Sequence, residues 1–303
     1  MLWVLSTQLK IPSDIVGCSM PAEFLDMPSL VLGPNDNLFN TLDKFKPDII
    51  VFGKCFHKNV INLAIESRRR GIRIISSFND WHFKPENLKQ EKQFELNYNL
   101  AINSDYIVVK TEKAGNLIKS NIGINYIVIP DCLRFKSLEV IEDKITEPIL
   151  LWFGSSSNHD TLFKGLKEIE DKKIYSKVYI VTNLSQNFLN DLNKENFKYL
   201  NIRPVSFSDS NLFEAAKRSS IIIIPLIEDH IRLVKSSNRI IDSLNFGRYI
   251  IKSKTSFNSE FDKFCYVGNI GDGIKKYLKN IENYKKNIVE GKEFVQKKYS
   301  LKI

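Results

Sequence analysis

The chain has 303 residues, a 43% apolar fraction and a formal net charge of +9, enough length and apolar content for two domains with real hydrophobic cores. Its longest apolar runs, such as the one at 221–227, are far shorter than the roughly 18–20 residues that span a bilayer, so no transmembrane helix is expected. The four cysteines form no C-x-x-C pair, and the start "MLWVLSTQLK" lacks the charged leader and long apolar stretch of a secretory signal. We therefore expect reduced thiols in a cytoplasmic protein.

Short β-branched runs alternate with helix-length amphipathic segments through the first half of the chain. In chain order, the predicted strands are "LWVLS", "SLVLG", "DIIVFG", "IRIISSF", "YIVVK" and "NYIVIP". The predicted helices lie near residues 36–46, 57–70, 86–103 and 112–120. Nearly continuous apolar strands between helices are typical of a parallel sheet covered on both faces, so the first half is predicted to be a doubly wound α/β domain.

A second series of strands and helices follows a polar, acidic stretch at 136–148, which is the predicted linker. Its predicted strands are "PILLWFG", "KVYIVT", "KYLNIR", "SIIIIPL" and "YIIKSK", and the pattern after Gly273 is purely helical. The predicted fold class is α/β, with two doubly wound Rossmann-like domains at 1–140 and 141–285 and a C-terminal helix at 286–303. Ligands of open α/β sheets bind beyond the carboxyl ends of the strands, so we expect the site in a cleft between the domains.

The positive charge is concentrated at the C-terminus. Residues 1–148 carry 18 basic and 18 acidic side chains, which leaves 44 − 18 = 26 basic and 35 − 18 = 17 acidic side chains for residues 149–303. A solvated helix face explains such a run, and attraction to phosphates or to an anionic membrane leaflet is the alternative. No helix-turn-helix, zinc finger or stacking-aromatic motif accompanies the charge, so nucleic acid is not an expected partner.

The turn after the first strand of the second series carries residues that suit an anion. In "WFGSSSNHD", at 152–160, the strand ends on Gly154 and three serines precede the next helix. Glycine permits a close backbone approach, while Ser155 and Ser156 offer hydroxyl and amide donors near a helix start. The stretch is neither a P-loop nor a G-x-G-x-x-G fingerprint, and a plain strand-to-helix turn is the alternative.

A second helix start follows the acidic loop after "SIIIIPL". The stretch "VKSSNRIIDSLNFGRYII", at 234–251, offers Ser236 or Ser237 as the N-cap of an amphipathic helix. The amino end of a helix carries roughly half a positive charge, and Lys235 adds a full one. A capped surface helix is the alternative reading of this stretch taken alone.

The order of these features resembles the nucleotide-sugar-binding domain of GT-B fold glycosyltransferases, in particular the large retaining family that includes bacterial capsule and lipopolysaccharide glycosyltransferases. The resembling stretches of the second half are "LLWFGSSSNHDTL", "VSFSDSNLFEAAKRSSIIIIPL" and "KSSNRIIDSLNFGRYIIKSKTSFNSEFDKF". Those of the first half are "SDYIVVKTEKAGNLIKSNIGINYIVIPDCL" and "RGIRIISSFNDWHF". The resemblance implies an N-terminal acceptor domain, a C-terminal donor domain and a last helix that crosses back to the first domain.

Carried over position by position, the resemblance implies a donor site. The backbone amides of Ser236, Ser237 and Asn238 would hold the donor diphosphate, Asp242 would contact the ribose, and Lys235 would neutralise charge on the leaving diphosphate. The other implied donor-side residues are Gly154, Ser155 and Ser156 in the first turn, and Arg203, Val205 and Ser206 beside the nucleobase. On the acceptor side, the resemblance implies Asp80 and His82.

The chain departs from the family pattern at one position. The family often has two glutamates eight positions apart, and counting back from Asp242 reaches Val234. The usual carboxylate that contacts the donor sugar is therefore missing. Glu228 or Asp229, in the preceding loop, is the expected substitute.

An acceptor base is needed only by an inverting route. His82 has a suitable ordinary pKa near 6.5, although a histidine beside Trp81 and Phe83 is also explained by a structural role, and His57 is a second candidate. No D-x-D lies between strands, so we expect no bound metal and no cofactor apart from the donor itself.

The leading hypothesis is a metal-independent, retaining glycosyltransferase of cell-surface polysaccharide synthesis, which moves a sugar from a UDP- or GDP-type donor to a glycan or lipid-linked acceptor. The basic C-terminal helices would then rest at the inner face of the membrane. The alternatives are an epimerase or hydrolase of nucleotide sugars, or a regulatory protein of the same fold without turnover.

Overall fold

The computed structural model describes residues 1–5, 15–55, 57–79, 88–140, 147–229, 234–256 and 258–301, with the backbone alone described at 88–90 and 283. These residues form two compact units. The first comprises Met1–Cys132 with Asp229–Ser236, and the second comprises Leu133–Glu228 with Ser237–Ile303.

The first unit is built on a sheet of six parallel strands in the order β2-β1-β3-β4-β5-β6. The strands are β1 (Leu2–Leu5), β2 (Ser29–Val31), β3 (Ile49–Phe52), β4 (Arg73–Phe78), β5 (Tyr106–Val109) and β6 (Tyr126–Val128). Val51 pairs with Trp3 on one side and Ile75 on the other. Central residues such as Ile50 and Phe52 are fully buried, because helices cover both faces of a parallel sheet.

The helices of the first unit are α1 (Met20–Phe24), α2 (Leu38–Phe45), α3 (Lys58–Arg69), α4 (Leu88–Ile102) and α5 (Glu112–Ile122). Local chemistry sets their ends. At α5, Thr111 Oγ1 accepts a hydrogen bond from the Ala114 amide at 3.2 Å, and Gly123 terminates the helix with φ of 77°. The helical turns at 15–24 were not predicted, because pieces this short carry too little apolar periodicity.

The second unit contains another six-stranded parallel sheet, in the order β12-β11-β10-β7-β8-β9. Its strands are β7 (Ile149–Phe153), β8 (Ser176–Thr182), β9 (Leu200–Ser206), β10 (Ile221–Ile224), β11 (Tyr249–Lys252) and β12 (Cys265–Val267). The three-residue β12 was not predicted, since it is too short to show a strand pattern. The predicted fold class, two doubly wound Rossmann-like domains, is confirmed.

The helices of the second unit are α6 (His159–Asp171), α7 (Gln186–Lys194), α8 (Asp209–Arg218), α9 (Asn238–Asn245), α10 (Ile270–Lys279) and α11 (Ile281–Tyr299). They cover both faces of the sheet. Leu150 and Trp152 of β7 belong to one hydrophobic cluster, whereas Leu151 and Phe153 belong to the other, as the alternation of side chains along a strand requires. No helix in the described part of the chain combines the length and apolarity needed to cross a membrane.

The segment that follows the first unit packs on the second. The Leu133 amide donates to the Tyr299 carbonyl at 2.9 Å, Asn245 Nδ2 donates to the Phe135 carbonyl at 2.7 Å, and Arg248 Nη1 donates to the Glu139 carbonyl at 2.7 Å. The residues from Leu133 onward are grouped with the second unit. The predicted domain limits, the cleft and the crossing of residues 286–303 to the first domain stay predictions.

Candidate functional site

The carboxyl edge of the second sheet gathers several of the predicted donor-side residues. Because all six strands are parallel, the loops that follow them emerge at one edge. Gly154, Ser155 and Ser156 follow β7, Glu228 lies in the loop after β10, and Ser237 is the N-cap of α9. Loop residues from different parts of the sequence therefore share one edge of this unit.

A side chain at Gly154 would crowd its neighbours. A Cβ atom on Gly154 would lie 3.1 Å from the Trp152 ring and 3.5 Å from Arg239 Nη1. The following hydroxyls are bonded to one another, since Ser155 Oγ lies 2.7 Å from Ser157 Oγ and accepts a bond from Asn158 Nδ2 at 3.1 Å. These bonds hold a 3₁₀ turn, Ser156–Asn158, that leads directly into α6.

Arg239 is a site candidate that the sequence analysis missed. It occupies the first turn of α9, and its Nη1 atom lies 3.5 Å from the Phe153 carbonyl at the end of β7. The guanidinium therefore stands beside the Gly154 turn. A cation in the first turn of a helix opposes the helix dipole, and this unfavourable placement is the sequence signal that identifies it.

The first turn of α9 is not capped by its own serine. The Ser237 hydroxyl donates to Asn258 Oδ1 at 2.5 Å and makes no capping bond to α9. The amides of Ile240 and Ile241 both donate to the Ser237 carbonyl at 2.9 Å, and the Arg239 amide donates to Asn238 Oδ1 at 2.7 Å. The start of α9 is thus tied to the loop after β11, and its dipole faces the carboxyl edge of the sheet.

Lys235 and Ser236 belong to the first unit, together with Val234. Val234 is only 1% exposed and packs in the hydrophobic core of that unit, where its carbonyl accepts a bond from Thr111 Oγ1 at 3.4 Å. A carboxylate at this position would lose its hydration without a new partner. Burial in this core therefore favours an apolar side chain over a carboxylate at position 234.

The other predicted donor-side residues have varied environments. Asp242 lies on α9 and is 6% exposed, whereas Arg203 is exposed on the edge strand β9. Val205 and Ser206 lie at the end of the same strand. The exposed Glu228 accepts a hydrogen bond from the Ser256 amide, which connects the loops after β10 and β11. The donor contacts of all these residues stay predictions.

Asp80 and His82 lie outside the described residues, so their acceptor roles stay predictions. His57, the second candidate base, precedes α3 and has its Nε2 atom 2.8 Å from the Leu32 carbonyl. This contact anchors the ring to the backbone of the loop after β2. Burial raises the pKa of the neighbouring Cys55 thiol to about 12, so this thiol is a packing group at neutral pH.

His159 is a titratable residue at the same sheet edge that the sequence analysis did not select. Its Nε2 atom lies 3.1 Å from Thr182 Oγ1 at the end of β8, and its ring lies 4.1 Å from the Phe188 ring. Burial lowers the pKa of His159 below its ordinary value of 6.5. The imidazole is therefore neutral at pH 7 and acts as an aromatic packing group at the start of α6.

Among the described residues, no group of three or more histidine, cysteine, aspartate or glutamate side chains is placed to hold a metal ion. Besides the Glu228 carboxylate and the His159 imidazole, this edge offers hydroxyls, amides, a helix dipole and the guanidinium of Arg239. These groups bind anions.

No protein-family model matches the sequence, and no curated protein matches it. Solved structures match the fold. HepE of Anabaena, solved in complex with UDP and glucose, has a TM-score of 0.74 at 10% sequence identity, over 99% of this chain and 95% of that chain.

Two further structures share this architecture. A TarM variant of S. aureus in complex with UDP has a TM-score of 0.65 at 12% identity and covers 87% of this chain; this chain covers 55% of TarM, about half of its length. UDP-GlcNAc 2-epimerase of Neisseria meningitidis, bound to UDP-GlcNAc, has a TM-score of 0.53 at 12% identity, over 98% of both chains. Similarity at such low identity establishes the fold, and this chain has the GT-B fold.

Proposed function

We propose that this chain is a glycosyltransferase that moves a sugar from a UDP- or GDP-type donor to a glycan or lipid-linked acceptor. The observation that carries the proposal is the position of Arg239, whose Nη1 atom lies 3.5 Å from the Phe153 carbonyl beside the Gly154 turn. A guanidinium and a helix amino end at the carboxyl edge of a parallel sheet suit a diphosphate. The similarity to UDP-bound structures of the same fold supports this choice.

In the proposed reaction, the bond between the sugar and the diphosphate breaks, and negative charge develops on the leaving phosphate oxygen. Arg239 and the amides at Ser236, Ser237 and Asn238 stabilise that charge, and Lys235 adds a further cation. Such preorganised electrostatic stabilisation is usually the largest contribution to catalysis of this type. The proposed site needs no metal, and activity that persists in a chelator is expected.

The remaining donor contacts are proposed from the resemblance to GT-B glycosyltransferases. Asp242 contacts the ribose, and the end of β9, with Arg203, Val205 and Ser206, borders the nucleobase. Gly154, Ser155 and Ser156 approach the diphosphate. Glu228, which the Ser256 amide orients, is the proposed carboxylate for the donor sugar, since Val234 cannot supply one.

On the acceptor side, Asp80 and His82 are proposed to orient the attacking hydroxyl. In either route the acceptor oxygen bonds to the anomeric carbon as the bond to the diphosphate breaks. In a retaining route the leaving phosphate oxygen takes the proton of the hydroxyl, whereas an inverting route requires His82 to accept it. We propose the retaining route, and the anomeric configuration of the product tests it.

The C-terminal helices support a membrane-associated acceptor, such as a lipid-linked glycan of cell-surface polysaccharide synthesis. The side chains of Lys275, Lys276 and Lys279 are exposed in the last turns of α10. Exposed lysines near an anionic leaflet contribute about 1 kcal/mol each to binding. The proposed location is therefore the cytoplasmic face of the membrane.

A second candidate function is epimerisation or hydrolysis of a nucleotide sugar, and the observation that favours it is the similarity to UDP-GlcNAc 2-epimerase. An epimerase would convert the sugar while it stays on, or returns to, the nucleotide. A hydrolase would release the free sugar to water. A regulatory protein would bind the nucleotide without changing the sugar.

Calorimetric titration with UDP, GDP and CMP is the first test of the proposed function. Binding of UDP or GDP is expected, and binding of none of the three would overturn the donor site. Incubation of the chain with the corresponding nucleotide sugar, with and without glycan acceptors, then separates the functions. Acceptor-dependent release of the nucleoside diphosphate supports transfer, a new nucleotide sugar supports epimerisation, and an unchanged donor supports regulation.

A further inference from the structure

Lys252 is a fully buried cation at the carboxyl end of β11, in the second unit. Its Nζ atom lies 2.6 Å from Asp262 Oδ1 and 3.5 Å from the Asn258 carbonyl oxygen. Removing an ammonium group from water costs several kcal/mol, and an ion pair with additional hydrogen bonds offsets that cost. An apolar side chain would fill the same space without this cost. Packing alone therefore does not explain why a charged residue lies at this position.

Asn258 connects this buried cation to the start of α9. Its backbone is left-handed, with φ of 61° and ψ of 26°, a conformation that asparagine tolerates better than most residues. Its carbonyl faces Lys252, while its side-chain Oδ1 accepts the Ser237 hydroxyl at 2.5 Å. One residue thus joins the ion pair of Lys252 and Asp262 to the N-cap of α9.

Two further contacts fasten the same loops together. The Leu226 amide donates to Ser253 Oγ at 3.1 Å, and the Ser256 amide donates to Glu228. The loop after β11 therefore supports the loop after β10 at several points. Lys252 lies beneath this arrangement, at the base of the loop that carries Asn258.

We propose that Lys252 and Asn258 are positioning residues for the diphosphate end of the donor site. Lys252 donates a hydrogen bond to the Asn258 carbonyl and so stabilises the left-handed turn. Asn258 in turn accepts a hydrogen bond from the hydroxyl of Ser237. A serine at an N-cap ordinarily accepts a bond from its own helix, which satisfies an amide of the first turn. Here the Arg239 amide is bonded to Asn238 Oδ1 and the Ile240 amide to the Ser237 carbonyl, so these amides do not need the Ser237 hydroxyl. Asn258 fixes that hydroxyl instead, and so positions the amides of Ser236, Ser237 and Asn238 for a phosphate group. This inference rests on the proposed function.

The test compares the affinities of the full chain for UDP and uridine, because only UDP reaches the phosphate contacts. In Asn258→Gly the left-handed turn is kept but the acceptor for Ser237 is removed. Loss of one hydrogen bond of about 1 kcal/mol corresponds to UDP binding roughly 5-fold weaker, with uridine binding unchanged. Lys252→Met, which keeps the aliphatic stem and removes the charge, is expected to have the same selective effect.

Matched variants separate positioning from general damage. Lys254→Met makes the same chemical change at an exposed lysine of the same loop, and its UDP affinity should equal that of the unmodified chain. Ser237→Ala combined with Asn258→Gly should weaken UDP binding by less than the product of the two single effects, because both variants break the same bond.

Each outcome has a defined consequence. If the unmodified chain binds UDP, and Asn258→Gly and Lys252→Met bind it equally well, the positioning inference is overturned while the proposed function stands. Equal losses of UDP and uridine affinity also overturn it, since they indicate general damage to the unit. Failure of the unmodified chain to bind any nucleotide overturns the proposed function and the inference together. If Lys252→Met does not fold, Asn258→Gly and the double variant decide the question.

Discussion

The Nη1 atom of Arg239 lies 3.5 Å from the carbonyl oxygen of Phe153, which places a cation from the first turn of α9 at the end of β7. These residues are 86 positions apart in sequence. The same guanidinium lies beside Gly154, where a Cβ atom would make a tight contact of 3.1 Å with the Trp152 ring. This relationship marks the edge of the second unit at which we propose that the diphosphate binds.

Removing this cation should affect phosphate binding selectively. We expect Arg239→Met to weaken UDP binding by roughly 10-fold or more, because a charge-assisted hydrogen bond contributes about 1.5–3 kcal/mol, and to leave uridine binding nearly unchanged. Calorimetric titration with both ligands measures the difference. Lys235→Ala should likewise weaken UDP binding more than uridine binding if Lys235 contributes to the diphosphate site. For either variant, equal losses of UDP and uridine affinity would count against a contact with the phosphates.

Introducing a carboxylate at position 234 should destabilise the protein. Val234 is 1% exposed within the core of the first unit, so Val234→Glu buries a carboxyl group and is expected to lower the free energy of unfolding by about 3 kcal/mol, with no gain of activity. Val234→Thr, uncharged and of similar shape, should cost only about 1–2 kcal/mol. Urea unfolding measures both values, and a Val234→Glu variant as stable as the unmodified chain would contradict the buried position.

The environment of His159 predicts a pH dependence of stability. Burial lowers the pKa of the folded His159 below its ordinary value of 6.5, so the unfolded chain binds the proton more readily. The contribution of His159 to the free energy of unfolding is therefore fully present above about pH 6.5. It is lost as the pH falls below that value toward the pKa of the folded state. Urea unfolding at several pH values should show that the free energy of unfolding of His159→Gln falls less steeply in this window than that of the unmodified chain. An equally steep fall would refute the lowered pKa of His159.

The basic patch on α10 predicts binding to anionic membranes. Replacing Lys275, Lys276 and Lys279 by glutamine should weaken binding to liposomes with phosphatidylserine by roughly 100-fold, at about 1 kcal/mol per lysine. The control replaces the exposed Lys44, Lys46 and Lys113 of the first unit, which changes the net charge by the same amount. Equal weakening in both triple variants would mean that net charge, and not this patch, governs binding.

Much of the fold was predictable because apolar periodicity reports which face of an element is buried. The alternation of strands and helices predicted both doubly wound sheets. The short strand Cys265–Val267 and the helical turns at 15–24 were missed, because so few residues carry no measurable period.

The candidate site was predictable only in part. The positions of Gly154 and Ser237 at the carboxyl edge follow from the parallel sheet, which the sequence pattern already implied. Lys252 and Asn258 were not selected, because nothing in their immediate neighbours indicates what they contact. The placement of Arg239 in the first turn of a helix is a signal in the sequence, but it does not indicate the contact with the end of β7.

The amino-acid sequence by itself determined the α/β class, the two sheets and the edge at which a ligand is expected, since each depends on local periodicity and on the geometry of parallel strands. Only the tertiary structure decided that Val234 lies in an apolar core and that Arg239 reaches the end of β7. It also decided that Asn258 accepts a hydrogen bond from the hydroxyl of Ser237. These contacts join residues that are distant in sequence. Their free energies depend on burial and on partners that only the folded chain brings together.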